Sequence, residues 1–125
     1  MQSDPTNDAK SKLLHGLAMH TGSETCYRHW AGALRFTEGV KFLADEAGAY
    51  WLIDNITAFR LDAKIRREEF VLWKLLVNAD RSATLIAEDG NENELLRQHV
   101  PWTDFPLEEI SLYLTDETLL LPSEY

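Results

Sequence analysis

At residue 70 the hydrophobic pattern of this chain changes period, and that change constrains the fold more than any other feature. Upstream, apolar residues recur three and four positions apart, the spacing of a helix face. Downstream they alternate. In "FVLWKLLVN", Val71, Trp73, Leu75 and Val77 fall on one side and Lys74 on the other, as in a half-buried strand. Helices first and strands afterwards, joined by short turns, predict an α+β domain. Its N-terminal helices pack on a mostly antiparallel sheet formed by the C-terminal half. At 125 residues there is room for one core. Residues 1–8 are expected to be a disordered leader and residues 9–125 a single domain.

Local signals place the elements. Asp8 is expected to cap "AKSKLLHGLAMHTG", where Leu13, Leu14, Leu17 and Ala18 share a face, and Gly22 to close it. "ETCYRHWAG", with Thr25, Cys26, Tyr27 and Trp30, favours an extended segment. Thr37 should cap the next helix, with Glu38 in its first turn, Val40, Leu43, Ala44 and Ala47 on one face, and Gly48 as a cap or kink. In "EAGAYWLIDNITAF", Leu52, Ile53, Ile56 and Phe59 form the core stripe, while Trp51, Asp54, Asn55 and Ala58 form the opposite face. "LDAKIRREE" reads as a linker. Strands follow in "ATLIAED" and "ELLRQHV", separated by an Asp-Gly turn, and Pro101 ends the second. "TDFPLEE" reads as a turn or a single helical turn, with Asp104 capping and Pro106 inside. The tail "ISLYLTDETLLLP" splits at Asp116-Glu117 into a hairpin.

Charge narrows the classes of function. Twelve Lys and Arg stand against 21 Asp and Glu, a net of −9, and no basic residue follows Arg97. Residues 1–62 carry 6 basic and 8 acidic side chains, whereas residues 63–125 carry 6 and 13. Phosphate backbones repel such a chain, so direct nucleic-acid binding is disfavoured. A protein partner with a basic surface is favoured. Neither a signal segment nor an apolar run of membrane-spanning length is present, which points to the cytoplasm.

Four separated segments, "TCYRHW", "FTEGVKFLADEAGAYWLIDNI", "WTDFPLEEISLYL" and "LLLPSEY", carry a resemblance over roughly residues 12 to 125. In this order and spacing they resemble a family of small bacterial and mobile-element proteins catalogued only as a domain of unknown function. The resemblance implies a bacterial, plasmid or phage setting and a stand-alone protein. It implies no activity, cofactor or site residue.

The candidate chemistry therefore rests on the residues. His15, His20, His29, His99 and Cys26 lack the spacing of a zinc site, and no metal or cofactor is expected. Cys26 with His29 or His20 as base would need both on one face, yet on a strand Cys26 and Arg28 face away from His29. Asp45, Glu46 and Asp54 could supply paired carboxylates, although Asp45 and Glu46 diverge on a helix. The preferred expectation is a protein-binding or inhibitory module that docks on a basic, often nucleic-acid-binding, partner surface. Trp51, Asp54, Asp104, Glu108, Glu109, Asp116 and Glu117 are its candidate contacts. The alternative is a small hydrolase using Arg28, His29, Glu46 and Asp54 in a cleft.

Overall fold

The computed structural model describes residues 5–20, 26–29 and 34–125. Helix α1 spans Pro5–Ala18, α2 Glu38–Ala47, α3 Tyr50–Phe59 and α4 Ala63–Arg66. The strands are β1 Cys26–Arg28, β2 Arg35–Thr37, β3 Phe70–Val77, β4 Ala83–Glu88, β5 Glu94–Val100, β6 Glu109–Thr115 and β7 Thr118–Leu120. A 3-10 turn at Pro122–Glu124 closes the chain. The seven strands form one sheet in the order β1-β2-β7-β6-β3-β4-β5. Only β2 and β7 run parallel. The fold is α+β, with helices mainly in the N-terminal half and strands in the C-terminal half.

The alternation in β3 decides which face of the sheet is core. Val71, Trp73 and Leu75 are buried, and register sets them beside Leu114, Leu112 and Ile110 of β6. On the same side, β4 contributes Ala83, Leu85 and Ala87. Leu52, Ile53 and Ile56 of α3 close this layer, together with Val40 and Leu43 of α2 and Leu13 and Leu17 of α1. The expected stripe of α3 is thus the core face, with Phe59 stacked on Trp73. Among the described residues the Trp73 indole N–H finds no hydrogen-bond partner, and Trp73 contributes volume and ring contact.

Local chemistry fixes the ends of α2. Thr37 Oγ1 accepts from the Val40 amide at 3.3 Å, and Gly48 closes the helix at φ 61°. A second, distant group completes the N-terminus. Glu124 accepts from Thr37 Oγ1 at 2.6 Å, from the Gly39 amide at 3.3 Å and from the Leu121 amide at 3.0 Å. A carboxylate there satisfies amides that the helix leaves open and meets the positive end of its dipole. Gly39 leaves the room: a Cβ would lie 2.6 Å from a Glu124 carboxylate oxygen and 2.7 Å from Leu121.

Several expectations are corrected. Helix α1 begins at Pro5, so Asp8 lies inside it rather than at its cap. Gly22, Thr25 and Trp30 lie outside the described residues. The expected linker contains α4, capped by Asp62, whose carboxylate accepts from the Lys64 amide at 2.9 Å, and anchored by buried Ile65. Strand β2 was not expected, because three residues are too few to show a period. Residues 101–108 form an irregular loop without a helical turn, so Asp104 caps nothing. Arg81 holds that loop by donating to the carbonyls of Thr103 at 3.0 Å and Phe105 at 2.6 Å. The expected hairpin at Asp116-Glu117 is present, with both residues left-handed at φ 50° and 59°, the conformation that suits strand twist. Strand β7 lies inside the sheet between β2 and β6.

Two substitutions test this packing by denaturant unfolding. Ile56→Ala removes a fully buried side chain and should cost about 2–5 kcal/mol. Glu124→Ala strands three donors and should cost about 1–3 kcal/mol. A loss below about half a kilocalorie, the level of an ordinary surface change, would contradict either placement.

Candidate functional site

The residues considered for catalysis separate. Alternation along β1 exposes Cys26 and Arg28 on one face and buries His29 on the other. A Cys26 nucleophile therefore lacks His29 as its base. His29 instead meets α3, with its Nε2 2.7 Å from Asp54 Oδ1. The two are 25 residues apart, so only the fold joins them. A carboxylate on one ring nitrogen fixes the tautomer and orientation of an imidazole. That ring is 6% exposed, whereas half of the Asp54 side chain faces solvent. Among the described residues, Arg28 and Glu46 make no ion pair, and the described clefts of about 420 and 450 Å³ are lined by other residues.

The three carboxylates considered for acid–base chemistry are dispersed as well. Asp45 accepts from Lys41 at 2.7 Å and from Tyr50 at 2.5 Å. The Lys41 hydrogen bond, then the Tyr50 hydrogen bond, hold its carboxyl below the usual Asp range. The same contacts raise Lys41 and Tyr50. Asp54 goes to His29, and Glu46 stands exposed at the end of α2. Among the described residues no group of three or more His, Cys, Asp or Glu side chains could hold a metal ion. None of their helices is long and apolar enough to cross a membrane.

The candidate contact residues fall at the two ends of β6. At the hairpin end, Asp116 faces Arg35 at 4.0 Å and Glu117 pairs with Arg60. Those acids are balanced within the fold. At the other end, Asp104, Glu108 and Glu109 are exposed and without an ion pair among the described residues. Trp51 is half-buried and packs against the core. Among the described tryptophans the exposed one is Trp102, at 66%, on the loop that Arg81 holds. It was missed, although its position between Pro101 and Pro106 was a usable signal, since a proline-flanked residue is excluded from a strand or helix interior. Asp80 adds a further carboxylate beside Arg81 in the β3–β4 turn. Hydrogen bonds from Ser82 hold Asp80 below its ordinary value.

The family model described as "Family of unknown function (DUF6876)" matches residues 11–125. The chain belongs to that family. No curated protein and no solved structure matches it. The family match spans every element from the second turn of α1 onward, including both distant contacts, His29–Asp54 and Thr37–Glu124.

The Asp45 group offers a titration test. A depressed folded pKa contributes stability above the unfolded value of about 4, and that stability is lost as pH falls through the folded value. Carboxyl-detected NMR should find Asp45 titrating below the ordinary Asp range, and Lys41→Met should move it upward. An Asp45 curve unmoved by Lys41→Met would refute the pairing. Solvent screening keeps the effect on stability small.

Proposed function

We propose that this chain is a protein-docking module whose contact surface is the loop end of the sheet. Trp102 is the anchor, and Asp104, Glu108 and Glu109 follow it along the same loop and into β6. The observation that carries the reading is the 66% exposure of Trp102 on a loop whose backbone Arg81 fixes by two hydrogen bonds. A large apolar side chain held in solvent on an ordered loop binds without first paying to order it. The unpaired carboxylates that follow it attract a basic surface and raise the rate of encounter.

The partner is a protein with a basic surface, of the kind that otherwise contacts nucleic acid. Occupying such a surface would inhibit it. This chain would do so in the cytoplasm of a bacterium or through a mobile element. Asp116 and Glu117 take a lesser part, because Arg35 and Arg60 already offset them. The contact role first considered for Trp51 passes to Trp102.

One observation favours a second reading. The His29–Asp54 pair supplies an oriented imidazole, the first requirement of a hydrolase. That reading requires the buried ring to become accessible, and it assigns Arg28 and Glu46 to substrate binding.

Partner capture from the native host, followed by binding kinetics on the captured protein, separates the two. Glu108→Lys with Glu109→Lys should slow association severalfold and flatten its salt dependence. Trp102→Ala should speed dissociation at least tenfold, while unfolding stays unchanged. Salt-independent binding that survives all three substitutions would overturn the docking reading. Hydrolysis that disappears with His29→Ala and persists in Trp102→Ala would establish the second.

A further inference from the structure

Among the described residues, the helices pack on one face of the sheet. Core residues occupy one side of each strand. The other side carries Phe70, Leu72 and Leu76 of β3, Ile86 of β4, Tyr113 of β6 and Leu120 of β7. Tyr113 and Leu72 are directly opposite in register, as are Tyr113 and Leu120. Tyr125 folds over them, its ring 5.2 Å from Tyr113 and 5.6 Å from Phe70, yet it remains 74% exposed. Ile86 is buried and the other sheet residues are half-buried, so the face presents chiefly the Tyr125 ring over Tyr113 and Phe70, an aromatic centre of the kind enriched in interface cores.

Charge identifies the occupant. The chain as a whole carries −9, but this face sets Arg28, Arg35, Lys74 and Arg97 against Glu88, Glu94 and Glu109, a near balance. A strongly basic or strongly acidic partner gains nothing there. Most of these charges are met within the fold: Lys74 pairs with Glu88 at 2.6 Å, Arg97 with Glu94 at 2.7 Å, and Arg35 faces Asp116 at 4.0 Å. Arg28 and Arg35 are paired in register on β1 and β2, at one edge. Glu88 and Glu94 are paired on β4 and β5, at the other, with Glu92 in the adjoining turn. The hydrogen bond to Glu88 raises the Lys74 pKa, and the charge of Glu92 adds a smaller push in the same direction. Among the described residues Arg28 and Glu92 make no ion pair within the chain.

We infer that this face binds a second copy of the chain, face to face, about a two-fold axis parallel to the strands. Strand β6 is fourth of seven and lies on that axis. Rotation about it lays β1 and β2 of one protomer over β4 and β5 of the other. The strand registers match in height: Arg35 aligns with Thr118, Thr115 and Phe70, one pleat from the row of Leu72 and Glu88. Arg28 thus faces the Glu92 end of its partner twice over, while Tyr113 with the Tyr125 over it meets the same pair of its copy and Leu120 lies over Leu72. A two-fold axis across the strands would set Arg28 on Arg28 and Glu92 on Glu92, which repel. A seven-stranded sheet is about 30 Å wide, and aligned sheets pack about 10 Å apart. The same axis carries both Trp102 loops to one end of the dimer. The dimer does not depend on the docking reading and stands if that reading fails.

Sedimentation velocity on the full chain tests it. The expected species has twice the 14.3 kDa chain mass. Arg28→Glu and Glu92→Arg should each raise the dimer dissociation constant at least tenfold, and the double variant should restore it. Both sites are exposed, so thermal unfolding should stay cooperative. If either variant fails to fold, Tyr113→Cys in a Cys26→Ser background replaces it, and mild oxidation should yield a covalent dimer. A chain that is monomeric at all concentrations overturns the inference. A dimer indifferent to both reversals, a double variant no better than the singles, or an absence of cross-link does the same.

Discussion

One carboxylate ties the two ends of this fold together. Glu124, the second-last residue, accepts from Thr37, Gly39 and Leu121 and so closes the N-terminus of α2. Helix α2 leads directly into α3 through Gly48, and α3 supplies the Leu52, Ile53 and Ile56 face of the core. The same contact seats the chain end against β2 and β7, the one parallel pair. A parallel pair cannot be joined by a tight turn and must be held by what surrounds it. Here the helix cap and the 3-10 turn do so.

The sheet then separates tasks by end. Around the Asp116-Glu117 hairpin, acids meet Arg35 and Arg60, and the charge is spent on structure. At the opposite end of β6, Asp104, Glu108 and Glu109 have no such partner, and Arg81 spends its donors on backbone carbonyls. Those three carboxylates stand exposed, without an ion pair among the described residues, on the loop that carries Trp102 and at the start of β6. Edge strand β5 carries Glu94, Arg97 and His99, ends at Pro101 and follows an irregularity between Ala87 and Glu88. Such features discourage pairing through the open backbone of an edge. They leave the loop and the sheet faces as the surfaces for contact.

Much of this was legible where the chemistry is local. Thr37 as a cap, the alternation from Val71 to Leu75 and the turn at Asp116-Glu117 each depend on residues within a few positions. Strand β2 and helix α4 were not legible, because three or four residues show no period and their burial comes from neighbours far along the chain. His29–Asp54 and Thr37–Glu124 span 25 and 87 residues, and no spacing rule connects such pairs. The fold also decided between tryptophans. Trp51 was read from its helical face, but half of that face lies against the sheet, where Asn55 donates to Gln98 at 3.1 Å. Trp102 stands clear because its loop is short and proline-bounded.

Site-resolved hydrogen exchange on Glu124→Ala tests most directly whether the anchoring end and the contact end of this fold are independent. Amides of Gly39, Val40, Leu119 and Leu121 should exchange faster than in the native chain by at least tenfold, as local openings become easier. Amides of Thr103 and Phe105, held through Arg81 and Thr103 Oγ1 at the other end, should keep their native rates. Equal acceleration at both ends, or none around α2, would contradict the account.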